Sequence, residues 1–138
     1  MSTATGGSVG PDLSKPLAEV LGQVMSVEVT DDGALTVRHD GTLASLRTVT
    51  IADGLEMVSL TQAIAWDLRA DAALRKRVAA QAQKTLLGTV ALVEHPGKLA
   101  DVVLRYNFPV SGLSDSALRT LVLMTLDAGT QVRAALIA

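Results

Sequence analysis

Between Asp31 and Gly54 the step Asp-Gly occurs three times, at Asp32-Gly33, Asp40-Gly41 and Asp53-Gly54. Each time it separates runs that alternate or are rich in β-branched residues. Gly, and to a lesser degree Asp, accepts the positive φ that a tight hairpin turn demands. Side chains that alternate along a strand place their apolar members on one sheet face. Val27 and Val29 alternate with polar neighbours, as do Leu35 and Val37 with Thr36 and Arg38, and the run 43–51 is rich in β-branched residues. The pattern predicts an antiparallel meander.

The segment 55–68 prolongs it. Val58, Leu60, Ile64, Trp66 and Leu68 share one parity, and Ser59, Thr61, Ala63 and Asp67 share the other. Strand period therefore predicts one long, bent strand with Trp66 in the core, although Gln62-Ala63-Ile64-Ala65 suits a helix in isolation. At Asp71 the character changes. DAALRKRVAAQAQKTLL consists of strong helix formers without Gly or Pro. Leu74, Val78, Ala82 and Leu86 form its apolar stripe, and Gly88 is expected to end it. Strands over 89–94 and 99–108 then flank the turn His95-Pro96-Gly97-Lys98. Pro109 and Gly112 break the second strand. Ser114 is placed to cap a last helix, with Asp115 in its first turn complementing the helix dipole. Leu118, Leu121, Val122, Thr125, Val132 and Leu136 carry its buried stripe, and Gly129 lies on the same face.

At the other end, Ser14 is placed to cap a short helix with Pro16 in its first turn and a stripe of Leu17, Val20, Leu21 and Val24. The predicted order is α-βββ(β)-α-ββ-α. Strand–helix–strand alternation of the kind that builds a parallel sheet is missing, so the fold class is α+β with an antiparallel sheet. Neither a repeat nor a linker divides the chain. One domain over 14–138, preceded by a flexible tail over 1–13, is expected.

Of the 138 residues, 49% are hydrophobic, enough for one core. Only Trp66, Tyr106 and Phe108 are aromatic, so that core must consist of Leu, Val, Ala and Ile. A net charge of −2, with neither a basic stripe nor aromatic platforms, argues against nucleic-acid binding. The absence of cysteine rules out disulfides, thiolate catalysis and Cys-ligated metal, and fits a cytoplasmic protein. No apolar run approaches the length needed to span a membrane. The opening MSTATGGSVGP has neither the basic nor the apolar region of a signal peptide.

Chemistry-bearing patterns are sparse. His39 and His95 each lie at a predicted turn, beside Asp40 and Glu94. Neighbours on a strand point to opposite faces, which makes them poor co-ligands, so no catalytic residue, metal site or cofactor is expected. Ser59, Ser111, Ser114 and Ser116 lie outside any GxSxG pattern, and the glycines form no phosphate loop. Arg69, Arg75, Lys76, Arg77 and Lys84 make the most basic stretch. Helix period spreads them over a solvated arc, unless they converge on one patch. Tyr106 and Phe108 share a parity with Leu104 and read as core edge or contact patch, with core favoured. Tyr106, Phe108, Arg75 and Arg77 are the candidate partner contacts.

LEMVSLTQAIAWDL (55–68) and QKTLLGTVALVEHPGKLADVVLRYNFPVSGLSDSALRTLVLMTLDAG (83–129) together resemble the YbjN family, whose fold is similar to type III secretion chaperones. The resemblance implies a bacterial α+β protein of the sensory-transduction-regulator type, often dimeric and with no established catalytic residues. The expected function is a non-enzymatic, chaperone-like or regulatory module that binds another polypeptide, acting as a homodimer. The alternative is a small-molecule-binding regulatory domain with a pocket between sheet and helices.

Overall fold

The computed structural model describes residues 14–137, with side chains from residue 17 onward. The tail expected over 1–13 lies outside the described residues, and so does the side chain of Ser14 expected to cap the first helix, while Pro16 falls in the first turn of that helix as expected. Helix α1 (Ser14–Gly22) leads into the strands β1 (Val27–Val29), β2 (Leu35–His39), β3 (Thr42–Ala52) and β4 (Leu55–Arg69). Helix α2 (Ala72–Lys84), the hairpin β5 (Thr89–His95) and β6 (Leu99–Pro109), and helix α3 (Asp115–Ile137) complete the order.

All six strands join one antiparallel sheet in the order β1-β2-β3-β4-β6-β5. The Asp-Gly steps fall at its turns. Between the paired residues His39 and Thr42, Asp40 (φ 46°) and Gly41 (φ 83°) both take left-handed backbone. That is the two-residue turn whose twist matches the flanking strands. The strand predicted over 55–68 is the longest of the sheet, 15 residues, paired with β3 on one side and β6 on the other.

The helices share one face of the sheet. Helix α3 packs against both α1 and α2 and lies over β3 and β4. Beneath it Leu35, Val37, Leu46, Val58, Leu60, Ile64 and Leu104 are fully buried, together with Val122 and Leu126 of α3. Each such side chain contributes about 1.5–3 kcal/mol by leaving water. With Phe108 as its one buried ring among the described residues, the core depends mainly on close interlocking of aliphatic side chains.

Three expectations fail, each for a local reason. Val24 is not part of the α1 stripe. The helix stops at Gly22, and Val24 follows in a turn, 48% exposed. Leu86 does not continue the α2 stripe either. Thr85 turns to extended backbone (φ −83°, ψ 116°), its hydroxyl donates to the Gln81 carbonyl, and Leu86 is left 91% exposed.

The third is Trp66, which is half exposed and not in the core. Along β4 the even positions 58 to 64 are buried, but the pairing with β6 shifts register between Ala63 and Ala65 and again between Ala65 and Leu68. At such a bulge one residue is inserted and the parity flips. Ala65 turns inward next to Ile64, and Trp66 turns out.

The even set of β4 also contains Gln62, which is fully buried. Its amide nitrogen donates to the Thr42 hydroxyl (2.9 Å) and to the Leu126 carbonyl (3.1 Å). Gly129 of α3 makes room for it: a Cβ there would lie 1.9 Å from Gln62 Oε1. The glycine noted on the buried stripe of α3 is thus the notch into which a polar side chain of the sheet fits.

Candidate interaction surface

Because the helices cover one face, the odd residues of β3 are left on the other. Leu43 and Val49 are exposed there, while Thr42, Ala44 and Leu46 are buried. The register carries this face across four strands. Leu43 pairs with Ala63, Ala63 with Val103, and Val103 with Ala91, forming an apolar row. The next row, Ser45, Thr61, Arg105 and Thr89, is polar, and so is the following one, Arg47, Ser59 and Asn107. Val49, Met57 and Pro109 then form a second apolar row. Two apolar rows flanking a band of hydroxyl, amide and guanidinium groups suit a polypeptide surface, which offers both kinds of group. Strands β1 and β5 end the sheet.

The candidate contacts are placed differently from one another. Phe108 is 2% exposed and packs in the core, with Tyr106 half-buried beside it at 5.1 Å between ring centroids. As oriented here, Phe108 offers no free surface. Arg75 reaches β5, where its guanidinium donates to Glu94 at 2.9 Å, and this carboxylate raises the Arg75 pKa. Arg77 reaches α3 instead and donates to the Leu136 carbonyl at 2.9 Å, satisfying a helix C-terminal acceptor. The two guanidiniums leave α2 in different directions and do not form one patch.

Neither histidine uses its sequence neighbour as its close partner. His39 Nε2 lies 2.8 Å from Asp127 of α3 and 3.9 Å from Asp40. His95 Nε2 lies 3.1 Å from Asp101 and 3.6 Å from Asp67, while Glu94 is engaged by Arg75. The Asp67 amide also donates to Asp101 at 3.0 Å. That bond first, and His95 second, hold the Asp101 carboxyl below the usual carboxylate range. The serines serve the backbone: Ser111 accepts from the Glu56 amide and donates to the Gly54 carbonyl, and Ser114 caps α3 by accepting from Ala117. Among the described residues no serine hydroxyl is bonded to an imidazole.

Trp66 and Arg133 form a further contact that sequence order conceals. The Arg133 guanidinium donates to the Ile64 carbonyl at 2.7 Å and lies 5.4 Å from the indole centroid. It thereby satisfies a carbonyl beside the bulge and covers the displaced ring. A groove of about 260 Å³ opens between α1, the start of α3 and the sheet, with Leu17, Val58, Val110 and Leu118 as apolar walls and Glu56 and Asp115 at its polar parts. No helix among the described residues is long and apolar enough to cross a membrane.

No family model matches the chain, and neither does any curated protein. Solved structures do. The chain is similar to YbjN of E. coli, a proposed transcription regulator, at 18% identity over 88% of this chain and 87% of that one, with a TM-score of 0.61. It is also similar to the Yersinia pestis type III secretion chaperone SycH, solved in complex with a stable fragment of YscM2, at 14% identity over 87% of this chain and 96% of that one, with a TM-score of 0.51. The antiparallel sheet backed by three helices is therefore a YbjN-like, type III secretion chaperone-like α+β fold.

Proposed function

We propose that this chain is a non-enzymatic protein-binding module, chaperone-like or regulatory, that works as a cytoplasmic homodimer and receives a polypeptide on the uncovered face of its sheet. The observation that carries the reading is the face itself: one apolar row across four strands and a second across three, which no helix among the described residues shields. A neighbour of the same fold holding a protein fragment supports it. A second copy competes for the same surface, since apolar rows left without a partner favour burial in a dimer.

The test combines sedimentation of the purified chain with affinity capture from its native host, using wild type and a Leu43→Arg, Val103→Arg double variant. The expected result is a dimer and a stoichiometric protein partner for the wild type, both weakened by the double variant. A chain that stays monomeric and returns a bound metabolite without a protein partner would overturn the proposal. That outcome would favour a second reading, a small-molecule regulator using the groove beside Leu17 and Leu118. At about 260 Å³ the groove is smaller than most ligand pockets, about 300–1,000 Å³, so the first reading ranks above it.

A further inference from the structure

We propose that Asp67, His95 and Asp101 form a binding site for a late first-row divalent cation of the zinc class, set at the β5–β6 turn end of the uncovered sheet face, with Asp101 two residues from Val103. The three residues come from three strands. His95 ends β5 opposite Leu99, so Asp101, two residues further along β6, is its diagonal neighbour. Asp67 is delivered from β4 by the bulge and takes left-handed backbone (φ 56°) there.

The spacing is that of ligands around one ion. His95 Nε2 lies 3.1 Å from Asp101 Oδ1 and 3.6 Å from Asp67 Oδ1, and all three ligand atoms lie within 4.8 Å of one another. Bonds of about 2.0–2.2 Å to a single zinc-class ion separate neighbouring ligand atoms by about 2.8–3.6 Å. One imidazole with two carboxylates is a donor set for such ions, in contrast to the all-oxygen shells of magnesium and calcium. Two carboxylates held side by side concentrate negative charge, and among the described residues no lysine or arginine forms an ion pair with either. A dication supplies that missing charge. Asp67 and Asp101 keep a substantial part of their side chains exposed, leaving water free to fill the remaining coordination positions.

A second group of the same composition provides an internal control. His39, Asp40 and Asp127 also converge, but His39 contacts Asp127 at 2.8 Å while Asp40 stands off at 3.9 Å on a turn and is 77% exposed. In both groups the imidazole is hydrogen-bonded to one carboxylate, at 2.8 and 3.1 Å, but only around His95 does the second carboxylate come within ligand-to-ligand spacing, at 3.6 Å against 3.9 Å.

The experiment is calorimetric titration of the untagged, chelator-treated full chain with Zn2+, repeated for His95→Gln, Asp67→Asn and His39→Gln, with circular dichroism to verify that each variant is folded. One ion per chain is expected. His95→Gln and Asp67→Asn should each weaken binding tenfold or more, and His39→Gln should leave it unchanged. Bound Zn2+ should raise the melting temperature, because an ion that binds only the folded chain stabilises it, and a chelator should reverse the rise. Absence of saturable binding overturns the proposal. So does binding that survives in both folded site variants, or binding that is lost in His39→Gln.

Discussion

A Cβ placed on Gly129 would stand 1.9 Å from Gln62 Oε1, 2.3 Å from its carbonyl carbon and 2.6 Å from its amide nitrogen. The Gln62 amide cannot retreat freely, because its nitrogen is bonded to Thr42 and Leu126 inside the core. Gly129→Ala should therefore destabilise the protein by about 1–3 kcal/mol through overpacking. In a Gln62→Ala background the same change should cost less, with a coupling of about 0.5–3 kcal/mol from a double-mutant cycle in denaturant. Two acidic residues set the behaviour in acid. The Thr30 hydroxyl first, and Arg47 and the Ala34 amide after it, hold Asp32 far below the ordinary carboxylate range, and Asp101 is lowered by the Asp67 amide and His95. A lowered folded pKa means that the stabilisation is fully present above the unfolded value, about 3.9, and is lost as pH falls through the still lower folded value. Melting temperature measured against pH should fall below about pH 4, and Asp32→Asn should flatten the fall.

Among the elements, β4 departs most from its simple pattern. Alternation places Trp66 with Val58, Leu60 and Ile64, but the register shift after Ala63 breaks that parity. Since Trp66 is half exposed and rests on Arg133, its loss should cost far less than that of a core residue. An exposed cation–π contact is worth about 0.5–1 kcal/mol, whereas Leu60→Ala in the closed core should cost about 2–5 kcal/mol. Denaturant midpoints of the two variants compare them directly. As Trp66 is the single tryptophan, native fluorescence offers a second check: its emission should be red-shifted and readily quenched by acrylamide. Helix α2 has a better-defined start. Asp71 accepts from the Leu74 amide at 2.8 Å, and Asp71→Ala should cost about 1 kcal/mol.

For the whole molecule, what matters is that three helices share one side of six strands. That asymmetry closes an aliphatic core on one face and leaves two apolar rows on the other. If the rows are buried between two copies as proposed, stability becomes linked to association, and the melting temperature should rise with protein concentration. The Leu43→Arg, Val103→Arg variant should remove that dependence while keeping the fold, because both residues lie on the face opposite the core. Differential scanning calorimetry over a hundredfold dilution reads the effect.

Element order was legible in the amino-acid sequence because local chemistry determines it. Asp40-Gly41 accepts a turn that few other pairs accept, the alternation of Leu35 and Val37 selects a strand, and the glycine-free run after Asp71 selects a helix. The ends of helices were less legible: Val24 and Leu86 extend apolar stripes in sequence, but the backbone leaves the helix before reaching them. What only the tertiary structure decided depends on register. A bulge in β4 moved Trp66 out and Ala65 in, and a glycine sixty-seven residues away made room for a buried glutamine. The histidines likewise found aspartates from other strands and from α3, not their sequence neighbours. Turns and periods act over a few residues, whereas pairing across strands is set by the packing of the entire sheet against its helices.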